Sequence, residues 1–223
     1  MTEGAAPRLQ VEVWSDVLCP WCYLGKRRLE RALAALDPAE RERVDVTWRS
    51  FQLDPHAPAV RDGDLDDLLA KKYGMTREQA RAGHARLTAL GAEDAIDYHF
   101  EKARPGNSFD AHRLLQHARA RGRADAMKER LMRAYFTEGV AIGDREELVR
   151  LAADAGLDEA DARGVLESDA YAADVRRDVA DAAELGIHGV PTFVFDRRYG
   201  ISGAQPVEVL LETLRRGLAR ATG

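Results

Sequence analysis

The stretch Ser15-Asp16-Val17-Leu18-Cys19-Pro20-Trp21-Cys22-Tyr23-Leu24-Gly25-Lys26 holds both cysteines of the 223-residue chain within four positions. Before it, Leu9 to Asp16 alternates apolar and polar residues, with Leu9, Val11 and Val13 on one face, which reads as a strand. From Trp21 to Leu36 the apolar residues Leu24, Leu29, Leu33 and Leu36 recur at broadly helical spacing until Asp37-Pro38 ends the run, with Gly25 the weak point. The dithiol therefore sits where a strand hands over to a helix. A structural zinc site wants four ligands, and a disulfide scaffold spreads its cysteines along a short chain, so neither pattern is met.

Outward from this segment, Val44 to Leu53 is a second β-prone run, closed by Pro55 and Pro58. From about Asp64 to Gly186 the character is helix after helix. Thr76 with Gln79, Asn107 with Asp110 and Asp144 with Glu147 have the spacing of helix N-termini, and Gly91, Gly122, Gly139, Gly156 and Gly186 stand where helices would stop. Met127, Met132, Tyr135 and Phe136 read as core. Strand character returns at Thr192–Phe195 and Tyr199–Ser202, a hairpin around an unremarkable polar turn, Asp196-Arg197-Arg198. A last amphipathic helix opens with Pro206 and aligns Val207, Leu210, Leu211, Leu214 and Leu218. The order β, α, β, helices, β, β, α predicts an α/β domain, residues 1–63 and 187–223, interrupted by an all-helical insertion, residues 64–186.

Thirty-three Lys and Arg against thirty-eight Asp and Glu give a formal charge of −5, with the two signs interleaved along the chain. A nucleic-acid or anionic-membrane partner normally needs a basic face, so neither is expected. The opening residues, Met1 to Pro7, lack the basic and apolar regions of a signal peptide, and no stretch approaches the length of a membrane span. The expected compartment is the cytoplasm, where a lone dithiol is catalytic or redox-sensing more often than structural.

Two thiols two residues apart at a helix N-terminus make an asymmetric redox couple. The first sulfur lies over unpaired N–H groups and the positive end of the helix dipole, which favour its thiolate, while the second is shielded in the first turn. Cys19 is then the nucleophile and Cys22 the resolving thiol. Pro20 suits the first turn, and Trp21 is expected to cover the dithiol with apolar surface. In such motifs the attacking thiol titrates anywhere from about 3.5 to about 7. Trp21 adds no charge in the gap between the cysteines, so the thiolate should be less stabilised than with a His there.

The segment Ser15–Lys26 resembles the active-site segment of DsbA-like dithiol oxidoreductases, in particular the FrnE-like branch associated with polyketide biosynthesis. Asn107-Ser108-Phe109-Asp110-Ala111-His112-Arg113, Ala134-Tyr135-Phe136-Thr137-Glu138-Gly139 and Gly186-Ile187-His188-Gly189-Val190-Pro191-Thr192-Phe193 carry the same resemblance. It implies a thioredoxin fold with a helical domain inserted between the second strand and the last hairpin. It also implies that Val190-Pro191 is a cis peptide facing the dithiol, with the Val190 backbone able to pair with an extended substrate.

Pro20, Trp21, Val190 and Pro191 are thus the expected substrate-binding residues, and His188, Asn107 and Asp16 further candidates. Asp16 reads first as a carboxylate capping the following turn, and second as a group that influences the thiol. Asn107 reads as a helix cap before it reads as pocket lining. Lys26, Arg27 and Arg28 read as solvated. His84, His99 and His117 lack metal-site spacing, so no metal is expected. No cofactor is expected beyond the Cys19–Cys22 pair itself, with glutathione as a thiol partner. The expected function is thiol-disulfide exchange with protein or small-molecule substrates, by a monomer or homodimer. Two alternatives share the fold: a glutathione-dependent isomerase or kappa-class glutathione transferase, which needs no Cys22, and a non-catalytic, chaperone-like binding module.

Overall fold

A computed structural model describes residues 7–221 of the chain; the opening residues 1–6, read above for a targeting signal, lie outside the described residues. β1 (Leu9–Ser15) lies at the centre of a four-stranded sheet of order β2-β1-β3-β4. It runs parallel to β2 (Val44–Ser50), reached through α1 (Pro20–Ala34) and the short α2 (Pro38–Arg41). It pairs antiparallel with β3 (Thr192–Phe195), which pairs antiparallel with β4 (Tyr199–Ser202). Parallel neighbours need a long crossover, and α1 supplies it, so the dithiol has to lie at the edge where β1 feeds that helix.

The alternation in β1 sorts its side chains. Leu9, Val11 and Val13 join Phe193 and Phe195 against Leu29 and Ala32 of α1 and Leu210, Leu214 and Leu218 of α10 (Val207–Ala221). Trp14 points to the opposite face, with Val194, Ile187 and Ala182. Ala182 belongs to α9 (Ala172–Glu184), which composition groups with the helical stretch but which packs on the sheet. Its Asp178 carbonyl accepts the Trp14 indole N–H at 2.9 Å.

Between β2 and α9 lie α3 (Leu65–Tyr73), α4 (Arg77–Glu93), α5 (Phe109–Arg119), α6 (Ala124–Arg133), α7 (Arg145–Asp154) and α8 (Glu159–Glu167), with a single π-helical turn at Ala134–Glu138. The capping box of Thr76 and Gln79 and the cap of Asp144 form as expected, and Gly122, Gly139, Gly156 and Gly186 end helices in the left-handed region. Met127, Leu131, Met132, Tyr135 and Phe136 are buried in one apolar cluster that also contains Cys19, Cys22, Tyr23 and Leu24. The N-terminal turns of α1 therefore belong to the core of the helical region, and its later turns to that of the sheet.

Local details depart from the sequence reading. Gly91 lies inside α4 because the Tyr98 ring packs on it, where a Cβ would come within 2.4 Å of that ring. Pro206 stands just ahead of α10, its carbonyl accepting the Val209 and Leu210 N–H groups. The hairpin turn is far from unremarkable. Asp196 and Arg197 both take positive φ (48° and 52°), and Arg197 bonds Glu12 at 2.7 Å and Asp181 at 2.8 Å, tying the turn to β1 and α9. Lys26 is 1% exposed rather than solvated, because α6 brings Glu129 to 3.1 Å and Asp125 to 3.4 Å from its ammonium. Arg27 pairs with Glu129 and Glu30, and Arg28 with Asp94.

Candidate active site

After Ser15 the backbone turns, the Cys19 N–H donating to the Asp16 carbonyl at 3.2 Å. Cys19 flanks the first turn of α1 in extended conformation (φ −94°, ψ 115°), and its own carbonyl accepts the Cys22 N–H at 3.0 Å. Pro20 opens the helix, where its missing N–H leaves nothing unpaired. Both cysteines are free thiols. Cys19 is 4% exposed and lines a cleft, whereas Cys22 is wholly buried behind it.

The Val190–Pro191 peptide bond is cis, and the Cys19 Sγ donates to the Val190 carbonyl at 3.5 Å. Gly25 allows this approach: a Cβ there would stand 3.0 Å from Pro191 Cγ and 3.3 Å from the Phe193 ring. The proline thus fills the space behind the dithiol, and Val190 forms the wall beside it.

The cleft has a volume of about 570 Å³. Cys19, Pro20, Trp21, His188 and Val190 form its reactive end, and Leu65, Leu68 and Leu69 of α3 and Leu87 of α4 face them. Trp21, 41% exposed, lies at this end, and the Pro20 carbonyl accepts the Tyr98 hydroxyl at 2.6 Å. Asp16 lies outside the cleft, wholly buried. Its carboxylate accepts the Leu53 N–H at 2.8 Å and the Leu18 N–H at 3.3 Å, and the His112 ring of α5 approaches to 3.4 Å. It both caps the turn, as its simpler reading held, and places a charge behind the site.

Asn107 is not brought to the cleft. Its amide donates to the Ala57 carbonyl at 2.8 Å and accepts from Gln52, so it pins the loop after β2 to the start of α5. Ser108, not Asn107, flanks that helix, because the Asn107 side chain is committed to the loop; it still accepts the Phe109 N–H at 2.8 Å.

Residues 10–215 match the model of the DSBA-like thioredoxin domain. The chain belongs to the DsbA-like thioredoxin-domain family. It is 30% identical over 189 residues to the uncharacterized protein YwbO of Bacillus subtilis (strain 168), covering 83% of this chain and 86% of the relative. A crystal structure of a probable DsbA oxidoreductase from Streptomyces coelicolor superposes with a TM-score of 0.90 at 45% identity, over 95% of this chain and 91% of that one. The cytosolic disulfide reductase DsbM from Pseudomonas aeruginosa, also solved with GSH, shares the fold (TM-score 0.63, 22% identity, 93% of this chain and 98% of the reductase).

The electrostatics of this DsbA-like site differ from the helix-dipole expectation. The hydrogen bond shared with Cys22 pushes the Cys19 thiol well up, and burial and the charges of Cys22 and Asp16 add to the effect. Burial would also push Cys22 up, but the bond from Cys19 and the ammonium of Lys128 outweigh it and hold that thiol below its ordinary value. The pair titrates as one unit. The first negative charge rests toward Cys22, the second ionisation is opposed, and the accessible sulfur is Cys19. The Asp16 carboxyl is held below the usual carboxylate range: burial works against this, but His112 and the Leu53 N–H outweigh it.

Lys128 is the residue the sequence reading missed. It is 1% exposed on α6, and burial pulls its ammonium down to about 8. The signal was present: positions 127, 131, 132 and 135 form an apolar stripe, and 128 lies in the same arc, three and four residues from two of its members.

Proposed function

We propose that this DsbA-like oxidoreductase exchanges disulfides with protein or small-thiol substrates, with Cys19 as the attacking sulfur and Cys22 as the resolving one. The observation that carries the reading is the asymmetry of the pair: Cys19 opens on the cleft beside the Val190 carbonyl, and Cys22 is sealed behind it.

In the reducing direction, the Cys19 thiolate attacks a substrate disulfide, forming a mixed disulfide and releasing one substrate thiolate, which takes the proton held by Cys22. The Cys22 thiolate then attacks Cys19 Sγ, releasing the second substrate thiolate and leaving the Cys19–Cys22 disulfide. Two electrons pass to the substrate. Oxidation of a substrate dithiol is the same sequence reversed. Before attack, an extended substrate chain can pair with the backbone at Val190, and the leucines of α3 face the apolar part of the substrate.

The intact second thiol favours this reading over a glutathione-conjugating or isomerising enzyme and over a binding module without redox chemistry. The likeness of Ser15–Lys26 to the FrnE-like branch supports placing the chain there. The shared fold of a cytosolic reductase supports the cytoplasm as its compartment and glutathione as a thiol partner. Among the described residues no helix is long and apolar enough to cross a membrane.

Insulin reduction by wild type, Cys19→Ser and Cys22→Ser, measured alongside glutathione conjugation, tests the proposal. Activity is expected to vanish in Cys19→Ser, and Cys22→Ser is expected to accumulate a mixed disulfide. Glutathione conjugation that survives Cys22→Ser, without insulin reduction by wild type, would replace it.

A further inference from the structure

The dithiol is underlain by a pocket of buried charge. β1 contributes the Ser15 carbonyl, the turn after it Asp16, α1 the two thiols and Lys26, β2 Trp48, α5 His112, α6 Lys128 and the π-helical turn Tyr135. Lys26 is answered by three carboxylates, Glu30, Asp125 and Glu129. Asp16 is answered by His112 at 3.4 Å. Lys128 has no such answer. Among the described residues no carboxylate lies within salt-bridge distance of its ammonium. Its contacts are the Ser15 carbonyl at 3.5 Å and the face of Trp48 at 5.6 Å, both poor compensation for a buried charge. Ser15 is the last residue of the strand that leads to Cys19, so the carbonyl contact holds the ammonium at the edge of the sheet under the dithiol. The anionic groups near it are Asp16, beyond salt-bridge distance, and the thiol pair, whose thiolate exists only in the reduced protein.

We infer that Lys128 is the counter-cation of the dithiol: it holds the single thiolate of the reduced pair and so sets how readily Cys19 and Cys22 are oxidised. The inference rests on the disulfide-exchange reading and adds a positioning residue to it. In the reduced protein the Lys128 ammonium faces one thiolate of the pair, which offsets its buried charge. In the disulfide form that thiolate is gone, and Lys128 keeps the Ser15 carbonyl, the Trp48 face and the charge of Asp16 from beyond salt-bridge distance. A cation that stabilises only the reduced state raises the oxidising power of the disulfide. Burial pulls the Lys128 ammonium down, the charges of Cys22, Asp16 and Cys19 favour it, and Lys26 opposes it.

The test uses the full chain with Lys128→Met, which keeps the length and removes the charge. Thiolate absorbance at 240 nm across pH should show the first ionisation of the pair displaced upward by about one pH unit. In glutathione buffers the disulfide of Lys128→Met should be favoured wherever the wild-type pair carries its thiolate, by up to about tenfold for a one-unit displacement. The gap should close as pH rises past about 8, where Lys128 itself loses its proton in wild type. A residue that merely fills space would leave both titrations unmoved. Should Lys128→Met fail to fold, ¹⁵N-lysine spectra of wild type give a second reading: the Lys128 ammonium should titrate at lower pH in the oxidised protein than in the reduced one. A folded Lys128→Met with wild-type thiolate titration and glutathione equilibrium, or a Lys128 titration indifferent to redox state, overturns the inference. Insulin reduction by wild type is read separately, so loss of the lysine's role is distinguishable from failure of the exchange reading.

Discussion

The two ends of α1 rest in different kinds of core. Its later turns put Leu29 and Ala32 against Val11, Val13 and Phe193, a surface of hydrocarbon alone. Its first turns put Cys22, Tyr23 and Lys26 near Asp16, His112, Glu129 and Lys128, where ionisable groups are buried beside one another. The first kind stabilises through area removed from water and has no chemistry to offer. The second costs desolvation at every group and is tolerable only if each charge has its partner. A single helix thus anchors the fold with one end and tunes a sulfur with the other.

The largest effect on stability should come from the hydrocarbon end. Leu29→Ala removes a side chain that is 1% exposed and should cost about 2–5 kcal/mol in urea unfolding. The thiolate titration of the protein that remains folded should be unchanged; a displaced titration would mean the two ends are not separable. A smaller effect belongs to the charged end and depends on pH. The Asp16 carboxyl is lowered by folding, so its stabilisation is fully present above the ordinary carboxylate value near pH 4, and is lost as pH falls through its folded value. The melting temperature of wild type should therefore fall more steeply below about pH 4 than that of Asp16→Asn. Parallel acid profiles would remove Asp16 from the charge balance. The smallest effect is expected at Trp21, whose ring is half in solvent at the mouth of the cleft. Trp21→Ala should move stability by no more than about 0.5 kcal/mol, yet raise KM for an apolar disulfide peptide with little change in kcat. A loss confined to kcat would assign the ring to the chemistry instead.

The hydrocarbon end was legible in the sequence and the charged end largely was not. Alternation in Leu9–Val13 and the leucine spacing of α1 follow from periodicity, which reports the face an element buries. The strand-to-helix handover at Cys19 was legible for the same reason. Lys26 and Asp178 were opaque because a charged residue in a helix reads as solvated unless its partner is known, and partners such as Glu129 and Ser50 lie far along the chain. Asp178 receives the Ser50 N–H at 2.9 Å and the Gln116 amide at 2.6 Å, from β2 and α5. No local pattern announces a contact between residues 50 and 178. Pro191 shows the other route, since a proline before a strand has no distinctive spacing, and only the resemblance placed it against the dithiol.

The division of labour between the two sulfurs is measured most directly by alkylating the reduced wild-type protein with limiting iodoacetamide at pH 7 and mapping the adducts by mass spectrometry. Cys19, open to the cleft, is expected to be labelled many times faster than Cys22, although the resting charge lies toward Cys22. Labelling of Cys22 at an equal or greater rate in the folded protein would contradict it.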